Sequence, residues 1–482
     1  MENWKKISFN VPRVLVSALK STGGKTIFSS ALMKIAKDKG EAVASFKCGS
    51  DFIDPLYHSV FLGNSPSLKM LSENKSTNLD PFICCENDLK ALLYENTKGK
   101  TLAIAEGVMG LYSGVGGETG IKSTNEVSLL TKTPVILLVS LEDFEGKTFE
   151  EALSYLKAFL SFKENLVGGI VFNKIEKPLY DKIKSKTEKA LGIPVFGFVP
   201  FLENLTFENR RLGLEPFWEE KNAKEKSEKI SEIISKTIDF DGILSLSKKA
   251  KDLSFNKNQK PKENPKIKIA VTLDSAFCFH NKDNIDFLKS LGARIVYVSP
   301  IFDEKLPDVD GIYLTGGFLL ENLSKLSENK SFQNSLKAAL EKGLPSFSEG
   351  AGYVYLCESI ESKAQKTKKL VGFFDTKIST GERLNSFGYH VATATKDSKF
   401  FKKGEKYNLR NFNYFYPKYS FPKENLLLNL KKFGKEASYK DGEERENSFG
   451  ALCYFSFRNN EKIAERFFEN CLNFKLWKGK TK

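Results

Sequence analysis

The sequence predicts an α/β protein of two domains, each organised around a parallel sheet. Three observations lead there: the length of the chain, the alternation of apolar runs with helical segments, and a change of character near its middle. At 482 residues the chain exceeds what one core ordinarily organises. From residue 10 to 245, short β-branched runs alternate with amphipathic stretches. The runs are Val14–Ala18, Ala42–Phe46, Thr101–Ala105, Pro134–Val139, Gly168–Phe172 and Pro194–Val199, with a helical pattern over Ile27–Asp38 between the first two. Uninterrupted apolar strands separated by helices indicate a parallel sheet covered on both faces. Residues 248–266 are rich in Lys and Asn, carry two prolines and read as a basic linker. Beyond it the alternation resumes with Ile267–Val271, Ala293–Val298 and Gly311–Leu314. After residue 375 it turns patchy and aromatic, which suits antiparallel strands at a sheet edge. The expected division is therefore 1–247, a linker over 248–266, and 267–482.

Composition narrows the function classes. No apolar run reaches the roughly 18 to 20 residues a membrane helix needs, and the N-terminus lacks a secretory apolar stretch. Seven cysteines without a CxxC and only three histidines speak against a Cys/His zinc site and for reduced thiols, hence a cytoplasmic protein. The net charge of +14 (74 basic against 60 acidic residues) is spread along the chain and interleaved with Glu. It therefore excludes a nucleic-acid stripe while favouring a polyanionic small substrate.

Val14–Thr26 is a strand running through a Gly-containing loop into a helix. Glycine lets backbone N–H groups turn towards phosphate, Lys25 can reach the terminal phosphates, and the Thr26 hydroxyl can hold Mg²⁺. Ser21, Thr22, Gly23 and Gly24 complete this candidate ATP-binding loop, although Leu19 stands where the first Gly of GxxxxGK[ST] belongs. Lys20 is either a phosphate contact or a surface residue. Three carboxylate-bearing loops follow, each after an apolar run, and loops at the carboxyl ends of parallel strands are where ligands bind. They are Phe46–His58 with Lys47, Asp51, Asp54, Tyr57 and His58; Asn78–Phe82 with Asp80; and Ala103–Tyr112 with Glu106. An acid closing a strand suits a Mg²⁺ ligand, which makes Glu106 the candidate.

The segments GSDFIDPLYH, NLDPF, AEGVMGLYSG, GIVFNK and Glu208–Leu214 resemble, in order and spacing, the ATP domain of the cobyrinate a,c-diamide synthase family, relatives of dethiobiotin synthetase. The resemblance implies ATP-dependent amidation of carboxylates on a corrinoid or related tetrapyrrole through an acyl phosphate. It implies Lys25, Asp51 and Glu106 as catalytic residues, with Thr26, Asp51 and Glu106 holding Mg²⁺ and Asn173 beside adenine. Lys47, Asp54, Tyr57, His58, Asp80 and Arg211 would then face the macrocycle.

The second half resembles the class I glutamine-amidotransferase domain fused in that family, over Asp274–Phe279, Tyr313–Phe318 and Pro345–Leu356. Glutamine hydrolysis needs a thiolate at a strand-to-helix elbow and a nearby His. Gly350 stands at the nucleophile position and Ser456 at the His position. Cys357, expected about two helical turns on, should face elsewhere; Cys278 reads as core, and His280 and His390 have no obvious thiol partner. The domain is expected to be an inactive glutaminase, so ammonia comes free or from a separate subunit, with homodimerisation left open. Two other functions fit the residues: a catalytically silent ATP- or tetrapyrrole-binding protein, and a MinD-like ATPase scaffold.

Overall fold

The computed structural model describes residues 4–63, 76–117, 120–202, 205, 207, 209–210, 213–214, 222–258, 267–362, 365–381 and 384–480. The chain divides into two compact units, Met1–Gln259 and Lys260–Lys482.

In the first unit, strands β1 (Trp4–Phe9), β2 (Arg13–Ala18), β3 (Val43–Cys48), β4 (Thr77–Leu79), β5 (Leu102–Glu106), β6 (Val135–Ser140), β7 (Val167–Asn173) and β8 (Val195–Val199) alternate with helices, including α1 (Lys25–Asp38) and α2 (Asp54–Phe61). Seven of the strands form one sheet in the order β4-β3-β5-β2-β6-β7-β8, and every pairing in it is parallel. All residues of β2, β5, β6 and β8 are buried, as strands covered on both faces must be. The register sets Glu106 beside Val16 and Lys47, and Asn173 beside Ser140. The carboxyl ends of β3, β5, β2 and β7 therefore open on one edge. Because the chain builds towards β4 first and crosses to β6 afterwards, the crevice above β2 is where the strand order reverses, the usual ligand position of open α/β sheets.

The expected linker begins later than the composition suggests. Residues Leu253–Asn258 form a strand paired antiparallel with β1. Leu253 and Phe255 are buried while Asn256 and Lys257 are exposed, and the Phe255 ring meets Phe9 and Tyr94 at 6.1 and 5.4 Å between centroids. Two alternating apolar residues suffice for a strand when an aromatic pair receives them. Arg13 fixes the same corner: its buried guanidinium donates to the carbonyls of Val11, Thr131 and Lys251. Residues 259–266 lie outside the described residues.

The second unit carries a six-stranded sheet of Ala293–Val298, Ile267–Thr272, Gly311–Leu314, Ser346–Glu349, Ser448–Ala451 and Glu443–Arg445, in that spatial order. Its first five strands pair in parallel, and only the Glu443–Arg445 edge is antiparallel. One buried core gathers Ala270, Ile312, Leu314, Leu336 and Val354; another gathers Ile269, Val271, Tyr313, Phe347 and Phe467. The strands after residue 375 pair mostly antiparallel, as expected, but only Glu443–Arg445 lies at the edge of the parallel sheet. Most of them build two further sheets of four and five strands. Alternating burial in Ser386–Ala394 and Lys406–Asn413 gives each strand its own half-buried face, which an extension of the parallel sheet would not need. Among the described residues no helix is long and apolar enough to cross a membrane.

Candidate functional site

The loop after β2 enters α1 through Gly24, whose φ of +82° lies in the left-handed region, and a Cβ there would sit 2.5 Å from the Asn173 amide nitrogen. Only glycine meets both conditions. Asn173 in turn donates its Nδ2 to the Gly23 carbonyl at 3.0 Å, so the end of β7 braces the loop. Lys25 folds back and donates to the carbonyls of Lys20 (3.1 Å) and Ser21 (2.8 Å). Burial, helped by repulsion from Lys47, pushes its ammonium down to about 8. Ser21 and Thr22 are exposed at the rim. Lys20 forms an ion pair with Asp143 at 2.8 Å, just past β6.

Glu106, completely buried at the end of β5, is the hub. Its Oε1 accepts from Thr26 Oγ1 at 2.7 Å and from Lys47 Nζ at 2.8 Å. Its Oε2 meets His58 Nε2 at 2.6 Å and Ser29 Oγ at 3.3 Å. Burial alone would raise this carboxyl, but Lys47 and His58 outweigh it and hold it below the usual carboxylate range. Lys47 also pairs with Asp54 Oδ2 at 2.6 Å. Burial works against its charge, while Asp54 and Glu106 hold its ammonium above the ordinary lysine range.

Of the residues singled out from sequence, Lys47, Asp54, His58, Glu106 and Thr26 thus form one connected cluster, with Lys25 at the start of α1 and Asn173 at the end of β7 flanking the loop. Asp51 accepts from the backbone of Ile53 and Asp54 at 2.8 and 3.1 Å, shaping the entry to α2. Asp80 accepts from Phe82 and Ile83 N–H and from Ser50, so it organises its own turn. Tyr57 is buried with its ring edge-on to Phe207 at 5.0 Å. Arg211 lies outside the described residues. Three contributors escaped the sequence reading. Ser29 sits one turn beyond Thr26, an i,i+3 spacing that puts both hydroxyls on one helix face. Ser76, which meets His58 Nδ1 at 3.0 Å, and Asp143 are brought in only by tertiary folding, and no local signal marks them.

The loop fits a nucleotide: the glycine conformation, the brace from Asn173 and a lysine held against the loop form a phosphate cradle. Among the described residues no group of three or more His, Cys, Asp or Glu is arranged to hold a metal by itself. A hydroxyl and a carboxylate, Thr26 and Glu106, are nevertheless the hard-oxygen pair that Mg²⁺ takes when phosphates supply further ligands.

In the second unit Gly350 occupies a strand-to-helix elbow between Ser346–Glu349 and Ala351–Leu356, with φ +53° and ψ −120°. A Cβ at Gly350 would lie 2.2 Å from the Tyr454 hydroxyl oxygen, and one at Gly316 would meet the same oxygen at 2.2 Å. Tyr454 therefore fills the space in front of the elbow. Glu349, next to it, accepts from the Tyr313 hydroxyl and the Phe455 N–H, each at 2.6 Å. The Ser456 hydroxyl is buried with no hydrogen-bond partner among the described residues. Cys357 is a correction: the helix ends at Leu356, and Cys357 opens the next strand, its buried thiol donating to the Tyr353 carbonyl at 3.4 Å. Cys278 is buried. His280 donates to the Thr272 carbonyl at 2.7 Å and His390 to that of Gly388 at 3.1 Å.

A phosphate-binding loop at the head of a parallel sheet, followed by a separate α/β unit with an elbow, defines a P-loop nucleotide-binding protein joined to a glutaminase-like unit. Residues 14–212 match the CobQ/CobB/MinD/ParA nucleotide binding domain, and residues 268–416 the CobB/CobQ-like glutamine amidotransferase domain. The cobyrinate a,c-diamide synthase of Caldanaerobacter subterraneus subsp. tengcongensis is 31% identical over 462 residues, 95% of this chain and 98% of the relative. That of Listeria innocua is 30% identical over 463 residues (95% and 98%), and that of Archaeoglobus fulgidus 30% over 474 residues (98% and 100%). The chain belongs to the cobyrinate a,c-diamide synthase family.

Proposed function

We propose that the chain is an ATP-dependent amidoligase that amidates carboxylate side chains of cobyrinate or a related tetrapyrrole, with ammonia that its own second unit does not generate. The observation that carries the reading is the Glu106 hub. One buried carboxylate joins the P-loop threonine to Lys47 and His58, linking the phosphate end of the site to side chains suited to a carboxylate substrate.

A carboxylate is a poor electrophile, so it must be activated. A substrate carboxylate oxygen attacks the γ-phosphorus, the bond to the bridging oxygen breaks, and ADP leaves. Ammonia then attacks the acyl carbon, loses a proton, and phosphate departs with the acyl–oxygen bonding pair. Lys25 offsets negative charge on the phosphates during transfer, and Lys47 steers the substrate carboxylate. Thr26 and Glu106 would hold Mg²⁺, which would supply further charge neutralisation on the phosphates when bound. Asn173, through its brace on Gly23, orients the loop that receives the nucleotide.

Glutamine is not the nitrogen source in this reading. Gly350 offers no nucleophile, Ser456 offers no base, and the Tyr454 hydroxyl occupies the space a thiol would need. The test is ADP release by the full-length protein with cobyrinate, then sirohydrochlorin derivatives, using ammonium chloride or glutamine as donor. Turnover with ammonium alone is expected, and turnover with glutamine would sink the claim about the second unit. No macrocycle-dependent turnover with either donor, in protein that binds ATP, would move the assignment to a silent binding protein. Dimerisation driven by ATP without turnover would favour a MinD-like scaffold.

A further inference from the structure

The loop leaving β5 is pinned along its length. Gly107 and Leu111 donate their N–H groups to the carbonyls of Val16 and Ala18 at 2.8 and 2.9 Å. Val108 is gripped from both sides by Thr124, whose hydroxyl accepts from the Val108 N–H at 2.9 Å and lies 2.8 Å from its carbonyl. A Cβ on Gly110 would come within 2.5 Å of the Leu19 carbonyl, so the loop presses directly on the phosphate-binding loop. Within residues 102–112 one side chain is exposed, and it is Met109, with 53% of its surface open to solvent. Its φ is +53°, in the left-handed region that side-chain-bearing residues avoid. Two independent features thus coincide: an apolar side chain held out of the core, and a backbone outlier fixed by its neighbours. Such outliers gather at binding sites because the surrounding structure must enforce them.

We propose that Met109 is a substrate-contacting residue whose thioether side chain forms a platform for the apolar face of the flat macrocycle; this rests on the amidoligase reading above. Its position selects the macrocycle over the nucleotide base. Asn173 ends β7, which lies on one side of β2 in the sheet. Glu106 and Lys47 end β5 and β3, on the other side, and Met109 follows Glu106 by three residues. The unbranched, polarizable methionine side chain adapts to a planar π surface and gains from sulfur–ring contact.

The experiment is steady-state ADP release by full-length wild type, Met109→Ala and Met109→Leu with ammonium chloride, varying cobyrinate and ATP in turn. Met109→Ala should raise KM for cobyrinate roughly tenfold, with KM for ATP unchanged and kcat little altered, since a contact made equally in ground and transition states appears in KM alone. Met109→Leu keeps an apolar surface but loses the sulfur–ring contact, so it should raise that KM measurably and by less than Met109→Ala. An unmoved cobyrinate KM in Met109→Ala, or an equal rise in KM for ATP, overturns the assignment. Wild type without macrocycle-dependent turnover overturns the parent reading, and this one with it, whereas normal wild-type turnover with an indifferent Met109→Ala overturns only this one.

Discussion

Glu106, with no exposed surface, carries four polar neighbours in Thr26, Ser29, Lys47 and His58. Lys47 is the cation that reconciles Glu106 with Asp54, 2.8 and 2.6 Å away. Lys47→Met should therefore cost about 3–5 kcal/mol, because an unpaired buried charge is left behind; the midpoint of urea unfolding reads it. Glu106→Gln keeps the shape but loses the charge, and should lower ammonium-driven kcat roughly a hundredfold or more. Glu349 makes a pH-dependent prediction in the other unit. Burial pushes its carboxyl up to about 8 from an ordinary value near 4.5, so the folded state binds a proton in that interval that the unfolded state has released. Stability contributed by this group is full below about 4.5 and is lost as pH rises through about 8. Glu349→Gln should flatten the fall in unfolding temperature across that window, and an unchanged slope in calorimetry would refute the assignment.

At the level of elements, strand positions were readable and strand partners less so. The runs Val14–Ala18, Ala42–Phe46, Thr101–Ala105, Pro134–Val139, Gly168–Phe172 and Pro194–Val199 each fall on a strand to within a residue or two, since a strand buried on both faces leaves an unbroken apolar record. The three-residue strand Thr77–Leu79 leaves too short a record. Leu253–Asn258 was hidden because its polar alternation is supplied by the same Lys and Asn that fill the linker. The site divides along a similar line. Thr26, Lys47, His58 and Glu106 were found because each lies at the carboxyl end of a strand or in the helix that follows one, whereas Ser76 and Asp143 reach the cluster through folding alone. The expectation of an inactive glutaminase rests on Gly350 and Ser456, whereas the approach of Tyr454 to Gly350 had no sequence signal, because it is a meeting of two segments about a hundred residues apart in sequence. Introducing a thiol alone should therefore fail. Gly350→Cys is expected to cost about 1–3 kcal/mol from overpacking and to release no glutamate from glutamine. Adding Tyr454→Ala should recover part of that loss in the unfolding midpoint.

For the whole molecule, the excess of 14 positive charges is a long-range effect rather than a site. If the substrate is a polycarboxylate, KM for it should rise with added potassium chloride, steeply between about 0.05 and 0.5 M as the screening length shortens. KM for a neutral donor such as ammonia in equilibrium with ammonium at fixed pH supplies the control. Family membership spans both units, yet the evidence for ligand chemistry sits in the first, and the elbow of the second remains a strand-to-helix turn at φ +53°. That turn bears on which substitutions the second unit can accept. With the Tyr454 hydroxyl in front of Gly350, any side chain gained at position 350 meets a collision first. The reverse order, emptying the pocket first, opens a hole with nothing yet to occupy it. Neither position can change alone without cost, so the glycine and the tyrosine act as an interlock, each restricting what the other may become.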